Sequence, residues 1–242
     1  MPIIHVDNVS KSYGKHQILT NMNLTADSGQ ILGLIGPSGS GKTTLIKIIM
    51  GMDVPTTGAV EVLSKKVPNL DILRQIGYMA QSDALYQDLT GLENLSFFAS
   101  MFLMNKSERK DRIAYVTRIV QLESAIQKKV STYSGGMKRR LSLAIALIQN
   151  PEILILDEPT VGIDPELRKS IWQELSRLKN EEHKTIVVTT HVMDEADKCD
   201  MLTMIREGKV ITTGTPHALK VDYEVSNLEE VFLKAGGVHR AH

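Results

Sequence analysis

The feature that most constrains this chain is a glycine-rich loop that fits the pattern G-x-x-x-x-G-K-[ST] at every specified position. The loop consists of Gly36, Pro37, Ser38, Gly39, Ser40, Gly41, Lys42, Thr43 and Thr44. An apolar run, Ile31 to Ile35, precedes it, and a helix-like segment, Leu45 to Met50, follows it. Because the pattern is informative only between a strand and a helix, this context supports the prediction of a phosphate-binding loop.

Each residue type in the loop has a chemical reason to be there. Glycines let the backbone turn tightly and bring its N–H groups close to phosphate oxygens. The helix that begins near Lys42 points its N–H groups and the positive end of its dipole at the same anions. Lys42 adds a positive charge, and the Thr43 hydroxyl is placed to bind Mg²⁺. The alternative is a Gly/Ser-rich surface turn that binds nothing.

A pair of carboxylates follows a second apolar strand. Asp157 and Glu158 come directly after the run Ile153 to Leu156, and ligand-binding groups of open α/β sheets lie at the carboxyl ends of strands. Phosphoryl transfer needs one carboxylate to hold Mg²⁺ and a second group to orient or deprotonate water. We assign Asp157 to the first role and Glu158 to the second. An ordinary acidic loop is the alternative.

The composition limits the class of protein. The 242 residues allow one large domain or two small ones. Lys and Arg total 28, as do Asp and Glu, so the net charge is zero and gives no electrostatic reason to expect nucleic acid as the partner. The single cysteine, Cys199, excludes an intramolecular disulfide. The longest nearly apolar run, about Leu95 to Met104, is too short to span a bilayer, so another chain must supply any membrane spans.

Hydrophobic periodicity predicts strands, then helices, then strands again. Strands are predicted at Ile3 to Val9, Ile18 to Leu24, Val60 to Val62, Gly77 to Ala80, Ile153 to Leu156, Thr185 to Thr190, Met201 to Ile205 and Lys209 to Thr213. Helices are predicted at Leu92 to Phe102, Asp111 to Leu122, Ser134 to Gln149, Asp164 to Lys179 and Ser226 to Lys234, before a frayed tail from Gly236 to His242. This order predicts an α/β core that is interrupted by an α-helical subdomain.

With these residues, the chain resembles the ATP-binding cassette of ABC transporters over roughly Ile3 to Gly214. The matching elements, in the family's order, are Tyr13, the phosphate loop, Gln81, the signature Tyr133-Ser134-Gly135-Gly136-Met137, the strand Ile153 to Glu158, the loop Val161-Gly162-Ile163-Asp164 and His191. The resemblance implies a phosphate-loop NTPase (RecA-like) α/β core with an antiparallel β subdomain and an inserted α-helical subdomain. It implies a single ABC ATPase domain over 1–242, with the core at 1–87 and 151–220, the helical subdomain at 88–150 and a C-terminal helix and tail at 221–242.

The resemblance also implies a role for each matching residue in an ATP hydrolase that uses ATP and Mg²⁺. The implied catalytic residues are Glu158, His191 and Gln81, and the implied Mg²⁺ ligands are Thr43, Gln81 and Asp157. ATP is bound by the phosphate loop, Gly36 to Thr44, and by Tyr13, which stacks on adenine. Residues that bind the ATP of a second chain are Ser134, Gly135, Gly136 and Asp164.

Several of these residues also have simpler interpretations. Tyr13 is alternatively an aromatic residue in a turn, Gln81 a surface glutamine, and His191 a buried histidine after a strand. Ser134 and Asp164 are favourable helix N-caps, the latter because a proline follows it. We expect these two residues to serve both as caps and as ligands.

Two departures from the usual signature indicate a subfamily. Tyr133 and Met137 replace the usual leucine and glutamine, and together with the tail segment from Asn227 to Leu233 they resemble cassettes of drug, antibiotic and lipid exporters. The implied protein is cytoplasmic and peripheral on the inner face of the cell membrane. It pairs with a second ATPase subunit, as a homodimer, and drives separate transmembrane permease subunits, with no nucleic acid as partner. The rivals are an ABC ATPase that acts on ribosomes or DNA, and a kinase or GTPase.

Two further segments carry surface predictions. Lys138-Arg139-Arg140 is predicted to form a solvated helix face rather than a nucleic-acid patch. The segment 83–104 is more apolar than one helix face can bury. Its apolar side chains are Leu85, Tyr86, Leu89, Phe97, Phe98, Met101, Phe102 and Met104. We predict that part of this set lines a groove for a short helix of the membrane partner; the alternative is that all of it forms a core.

Overall fold

The computed structural model describes residues 2–82, 84–102 and 104–237. The chain divides into two compact units: unit 1 is Met1–Ile72 with Thr185–His242, and unit 2 is Leu73–Lys184. In chain order the elements are β1 (Pro2–Tyr13), β2 (His16–Asp27), β3 (Ile31–Ile35), α1 (Lys42–Ile49), β4 (Thr57–Val62), β5 (Lys65–Lys66), α2 (Leu70–Leu73), β6 (Ile76–Met79), α3 (Gly91–Ser100), α4 (Lys106–Ile119), a 3₁₀ turn (Val130–Thr132), α5 (Gly135–Leu147), β7 (Ile153–Asp157), α6 (Pro165–Glu182), β8 (Thr185–Thr190), α7 (Met193–Ala196), β9 (Met201–Arg206), β10 (Lys209–Gly214), α8 (Pro216–Asp222) and α9 (Leu228–Ala235).

Unit 1 contains an antiparallel sheet in the order β2-β1-β4-β5. The first two predicted strands form a hairpin, in which β1 pairs antiparallel with β2. The other edge of β1 pairs antiparallel with β4. Ile4, Val6 and Val9 are buried on β1, whereas His5 and Asp7 are exposed, as the alternating pattern predicts for a sheet with one covered face.

Unit 1 also contains strands that run in parallel. β3 pairs in parallel with β8 and with β9, and β9 forms an antiparallel hairpin with β10. Every residue of β3 and β8 is buried, which is typical of parallel strands that are covered on both faces. The phosphate loop follows β3 directly and leads into α1.

Unit 2 places two parallel strands beside a closely packed helix. β6 and β7 pair in register, with Ile76 opposite Ile153 and Met79 opposite Leu156. Their carboxyl ends therefore lie at the same edge of this pair. A Cβ atom added to Gly77 of β6 would lie 2.1 Å from the carbonyl oxygen of Ala146 in α5. Only glycine permits so close an approach of α5 to β6.

Capping side chains set the start of the helices in unit 2. Thr90 and Glu93 form a reciprocal capping box at α3, and Asn105 and Glu108 form another at α4. This second box explains why α4 begins at Lys106, earlier than the apolar pattern predicted. The short helices α2, α7 and α8 were not predicted, because helices of one or two turns show too little periodicity. Of the predicted frayed tail, residues 238–242 lie outside the described residues. None of the described helices is long and apolar enough to cross a membrane.

Candidate functional site

The phosphate loop of unit 1 depends on two glycines. A Cβ atom added to Gly36 would lie 2.2 Å from the carbonyl oxygen of Ile205, so the loop passes very close to β9. Gly41 is the N-cap of α1 and has a φ of +103°. Residues with a side chain rarely adopt this backbone conformation. The helix thus begins with a glycine rather than with the usual capping side chain. This arrangement suits a helix N-terminus that binds an anion.

The polar side chains of the loop fit a phosphate. Lys42 is only 6% exposed, and its Nζ donates hydrogen bonds to the carbonyl oxygens of Gly36 at 2.7 Å and Pro37 at 3.0 Å. The Ser40 hydroxyl is buried and has no hydrogen-bond partner among the described residues. A buried hydroxyl without a partner is costly. A phosphate oxygen would satisfy it, and the neighbouring ammonium would balance the charge.

A cleft of about 360 Å³ in unit 1 opens beside the start of the loop. It is lined by Gly36, Pro37, Ser38, His191, Met193, Glu229, Phe232 and Leu233. His191 is exposed, so the alternative of a buried histidine is wrong. His191 lines the same cleft as Gly36, Pro37 and Ser38, the first residues of the phosphate loop. Phe232 and Leu233 belong to α9, to which sequence reasoning assigned no place at the site.

Tyr13 is held by a carboxylate and an ammonium that sequence reasoning missed. Its hydroxyl donates a hydrogen bond to Asp53, and Lys11 also donates to Asp53 while its Nζ lies 4.8 Å from the centre of the Tyr13 ring. The hydrogen bonds from Lys11 and then from Tyr13 lower the pKa of Asp53 to about 2. The same contact with Asp53 raises the pKa of Tyr13. The ring is thus restrained, and the side chain is still 49% exposed.

The carboxyl ends of β6 and β7 carry the predicted water-activating pair. Asp157 and Glu158 are buried, with 1% and 8% of their surface exposed. Gln81 Nε2 donates a hydrogen bond to Glu158 Oε2 over 3.1 Å. Gln81 is exposed at the surface, as the simpler interpretation has it, and this hydrogen bond also ties its amide to the buried carboxylate of Glu158. Glu158 has a φ of +53°, a left-handed conformation that is uncommon for a residue with a side chain.

Arg139 contradicts the prediction of a solvated helix face. It is 6% exposed and donates hydrogen bonds to the carbonyl oxygens of Ala80, Gln81, Asp157 and Glu158. The prediction was wrong because it judged Arg139 by its charged neighbours rather than by its position around α5. The available signal was the pair of small residues, Ser142 and Ala146, one and two turns further along the same face of the helix.

The signature segment forms the start of α5. The Ser134 hydroxyl accepts a hydrogen bond from the backbone N–H of Met137 at 3.2 Å, so the predicted N-cap is confirmed. Tyr133 is buried and donates to the carbonyl oxygen of Ala125 at 2.8 Å; its burial raises the pKa of its hydroxyl. A Cβ atom on Gly91 would lie 2.4 Å from that hydroxyl oxygen. The Tyr133 side chain therefore packs into unit 2, and Gly91 leaves the space that its hydroxyl group occupies.

A second cleft in unit 2 brings several predicted residues together. The Asp164 carboxylate caps α6 by accepting a hydrogen bond from Leu167 N at 3.0 Å, as predicted. The loop just before Asp164 lines this cleft of about 280 Å³, whose lining consists of Gln81, Gly135, Arg139, Glu158, Val161 and Gly162. The signature glycine and the Gln81–Glu158 pair thus share one cleft.

Comparison with known proteins decides the family. The model of the ABC transporter family matches residues 19–161 of this chain. This span contains the phosphate loop, Gln81, the signature and the pair Asp157 and Glu158. The chain belongs to the ABC transporter family.

Curated relatives of this ABC cassette include exporters. It is 42% identical over 224 residues to the Nod factor export ATP-binding protein I of Rhizobium meliloti, covering 90% of this chain and 67% of that protein. It is 40% identical over 239 residues to ABC transporter G family member 23 of Dictyostelium discoideum, covering 96% of this chain. The cassette spans only 33% of the length of that Dictyostelium protein.

Solved structures confirm the predicted fold. An ATP-binding subunit of an ABC transporter is similar with a TM-score of 0.88 and 26% identity, covering 97% of this chain and 99% of that one. A dimeric ATP-binding cassette in a post-hydrolysis state, bound to ADP and Pi, is similar with a TM-score of 0.82 and 32% identity, covering 88% of this chain and 98% of that one. The fold is that of a phosphate-loop ABC ATPase, and the predicted enzyme class, an ABC-type ATPase, is confirmed.

The apolar segment of the cassette is not a core. Tyr86, Phe97 and Met101 are 48%, 38% and 60% exposed. The other apolar side chains predicted there, Leu85, Leu89, Phe98, Phe102 and Met104, are only partly buried. Tyr86 packs edge-on against Phe97, with ring centres 4.8 Å apart. The alternative that the whole set forms a core is wrong; Asp83 and Leu103, within the same segment, lie outside the described residues.

Proposed function

We propose that this cassette is the ATPase subunit of an exporter of drugs, antibiotics or lipids. Two copies bind two MgATP between them, and separate transmembrane permease subunits carry the substrate. The cassette works on the cytoplasmic face of the membrane. Two observations support this proposal. The sequence is similar to that of export ATP-binding proteins, and the signature begins with tyrosine and contains methionine.

The proposed roles follow the chemistry of each residue. Lys42 and the loop N–H groups bind the phosphates, and Thr43 and Asp157 hold Mg²⁺, for which oxygen ligands are suited. Glu158 activates the attacking water, and Gln81 and His191 are the other two residues to which we assign catalytic roles. Tyr13 stacks on the adenine. From the second copy, Ser134, Gly135, Gly136 and Asp164 contact the same ATP.

The observation that carries the hydrolytic part of this proposal is the Gln81–Glu158 hydrogen bond at the carboxyl ends of β6 and β7. A carboxylate and an amide that lie within hydrogen-bonding distance of each other support the assignment of both to the orientation of one water molecule. The carboxylate is buried, which limits competition from bulk solvent. Because the signature glycine lines the same cleft, a second copy that reached the signature would also be close to this pair.

The test replaces Glu158 by glutamine. Glu158→Gln should bind MgATP normally but hydrolyse it about 10²- to 10⁴-fold more slowly, since a general base is lost. The ATP-bound dimer should then persist on a sizing column. Glu152→Gln is the matched control, because Glu152 is exposed and directly precedes the first residue of β7, at the end of the strand away from Glu158. Near-normal turnover of Glu158→Gln, with no ATP-dependent dimer, would refute the assigned role.

The transport proposal has its own measurement. Inverted membrane vesicles that contain the cassette and its permease should take up an amphiphilic substrate when MgATP is added outside. Vesicles with the Glu158→Gln cassette should not. Uptake without ATP hydrolysis, or tight association of the cassette with ribosomes instead of membranes, would favour a rival function.

A further inference from the structure

Arg139 makes an unusual set of contacts in unit 2. Its Nη1 donates to the carbonyl oxygens of Ala80 at 2.7 Å and Gln81 at 2.9 Å. Its Nη2 donates to the carbonyl oxygens of Asp157 and Glu158, the latter at 2.6 Å. One planar guanidinium therefore joins the ends of two strands, each through one of its terminal nitrogens.

These contacts fix backbone dihedral angles. The carbonyls of Ala80 and Gln81 belong to the two peptide planes that flank Gln81, and the φ and ψ of Gln81 are the rotations of those planes. The carbonyls of Asp157 and Glu158 flank Glu158 in the same way. Each nitrogen of the fork thus holds both peptide planes of one residue of the water-activating pair. Since the fork is rigid, it also fixes the two backbones relative to each other.

Glu158 needs such a restraint. Its φ of +53° is costly for a residue with a Cβ atom and persists only where the surroundings impose it. Relaxation of this angle would swing the carboxylate away from Gln81 Nε2, which now lies 3.1 Å from Glu158 Oε2. Strained backbone conformations of this kind cluster at functional sites.

The position of Arg139 in α5 links this restraint to the signature. Ser134 caps α5, and Arg139 follows it by five residues, about 7 Å along the helix axis. The intervening Gly135 lines the same cleft as Gln81 and Glu158. A displacement of the N-terminus of α5 is therefore passed to both strand ends through a buried, multiply bonded side chain.

We propose that Arg139 is a positioning residue that aligns Gln81 with Glu158 and reports the state of the signature to them. This inference rests on the proposed function, in which the signature contacts the ATP of the second copy. Occupation of the signature by one nucleotide would then adjust the geometry that hydrolyses the other.

The primary variant is Arg139→Lys, which keeps the positive charge but loses the planar fork. Its kcat should fall about tenfold to a hundredfold, as is typical when reacting groups are slightly misplaced, and its KM should change by less than about threefold. Arg139→Gln, with a single amide donor group, should be more impaired. In the Glu158→Gln background, Arg139→Lys should add little further loss, because both changes act on one step.

Leu143→Ala is the matched control for stability. It removes a buried side chain from the same helix but does not alter the four carbonyl contacts. If it loses at least as much thermal stability as Arg139→Lys while its kcat stays within about threefold of wild type, the effect of Arg139 is positional. If, in both variants, the loss of kcat is proportional to the fall in melting temperature, the proposal is overturned.

Hydrogen exchange on the unsubstituted cassette tests the inference without any variant. The amides of Gln81, Ser82 and Glu158 should be protected together with those of α5, since cooperative units exchange together. Exchange at these amides orders of magnitude faster than in α5 would overturn the proposal even if every Arg139 variant failed to fold. The proposed function fails separately, if Glu158→Gln hydrolyses ATP normally.

Discussion

Asp53 connects Tyr13 to Lys11, and its replacement by asparagine tests how strongly this connection holds the end of β1. Lys11 Nζ donates to Asp53 and also to the carbonyl oxygen of Val54 at 2.7 Å. The side chains of Lys11 and Asp53 are 11% and 23% exposed. The Asp53→Asn side chain keeps the shape but loses the charge, and it cannot accept hydrogen bonds on both of its terminal atoms.

The expected loss in the free energy of unfolding is about 1–2 kcal/mol at pH 7. Hydrogen bonds to charged groups contribute about 1.5–3 kcal/mol, and partial exposure to solvent reduces the value toward that of a surface ion pair, about 1 kcal/mol or less. The control is Asp71→Asn. Its Lys65 partner is 3.8 Å away and its side chain is 76% exposed, so a loss below about 0.5 kcal/mol is expected.

The lowered pKa of Asp53 determines in which direction its contribution to stability changes with pH. The pKa of Asp53 is lowered in the folded protein to about 2, from an ordinary value of 3.8. The contribution of Asp53 to stability is therefore fully present above the unfolded pKa and is lost as the pH falls through the folded pKa. Urea unfolding at several pH values should show a full difference between wild type and Asp53→Asn at pH 7. That difference should shrink between about pH 4 and pH 2. A difference that grows on acidification, or an effect at pH 7 no larger than that of Asp71→Asn, would refute this account.

Nucleotide binding gives a second measurement on the same variant. If Tyr13 stacks on adenine, loosening its ring should weaken MgATP binding about threefold to tenfold, a partial loss of the roughly 1–3 kcal/mol that stacking of a base on an aromatic ring contributes. Binding of inorganic tripolyphosphate, which has no base, should be unchanged. Equal losses for both ligands would indicate damage to the phosphate loop. No loss for either would mean that Asp53 does not serve the Tyr13 site.

Further predictions concern the dimer, the membrane partner and the thiol. Mixed Lys42→Ala and Ser134→Arg chains should regain measurable ATPase activity, because one site per heterodimer avoids both lesions; full activity of isolated monomers would exclude the sandwich. Tyr86→Glu and Leu89→Glu should fold and bind ATP but no longer co-purify with the permease, whereas normal transport by both would place the coupling surface elsewhere. Burial raises the pKa of Cys199 to about 12, so native protein at pH 8 should react with a thiol reagent far more slowly than urea-unfolded protein; equal rates would contradict the buried position.

Sequence reasoning found the elements whose signal is local. The strands β3 and β8 are unbroken apolar runs, and the helix starts at Ser134 and Asp164 carry their own caps. The phosphate loop was identified because glycine, lysine and threonine occur there in an order that few other structures use. Periodicity alone placed the start of α4 too late, since its first turn is polar and is fixed by the Asn105 cap.

The supporting residues could not be predicted in this way, because their partners are distant in sequence. Asp53 contacts Lys11 and Tyr13, which lie on a different strand some forty residues earlier along the chain. The local sequence identifies Asp53 only as an acidic residue that follows a helix. Its role depends on which strand the loop meets, and that is a property of the tertiary fold.

The run Lys138-Arg139-Arg140 shows the same limit within a single helix. Successive residues of an α-helix point about 100° apart, so three neighbouring cations serve three different surroundings. Lys138 contacts the side chain of Gln87, and Arg140 donates to the carbonyl oxygens of Val120 and Gln121. Of the three, only Arg139 is buried. A charged run therefore predicts nothing as a unit, because each of its members faces a different side of the helix and has to be judged by what packs against that side.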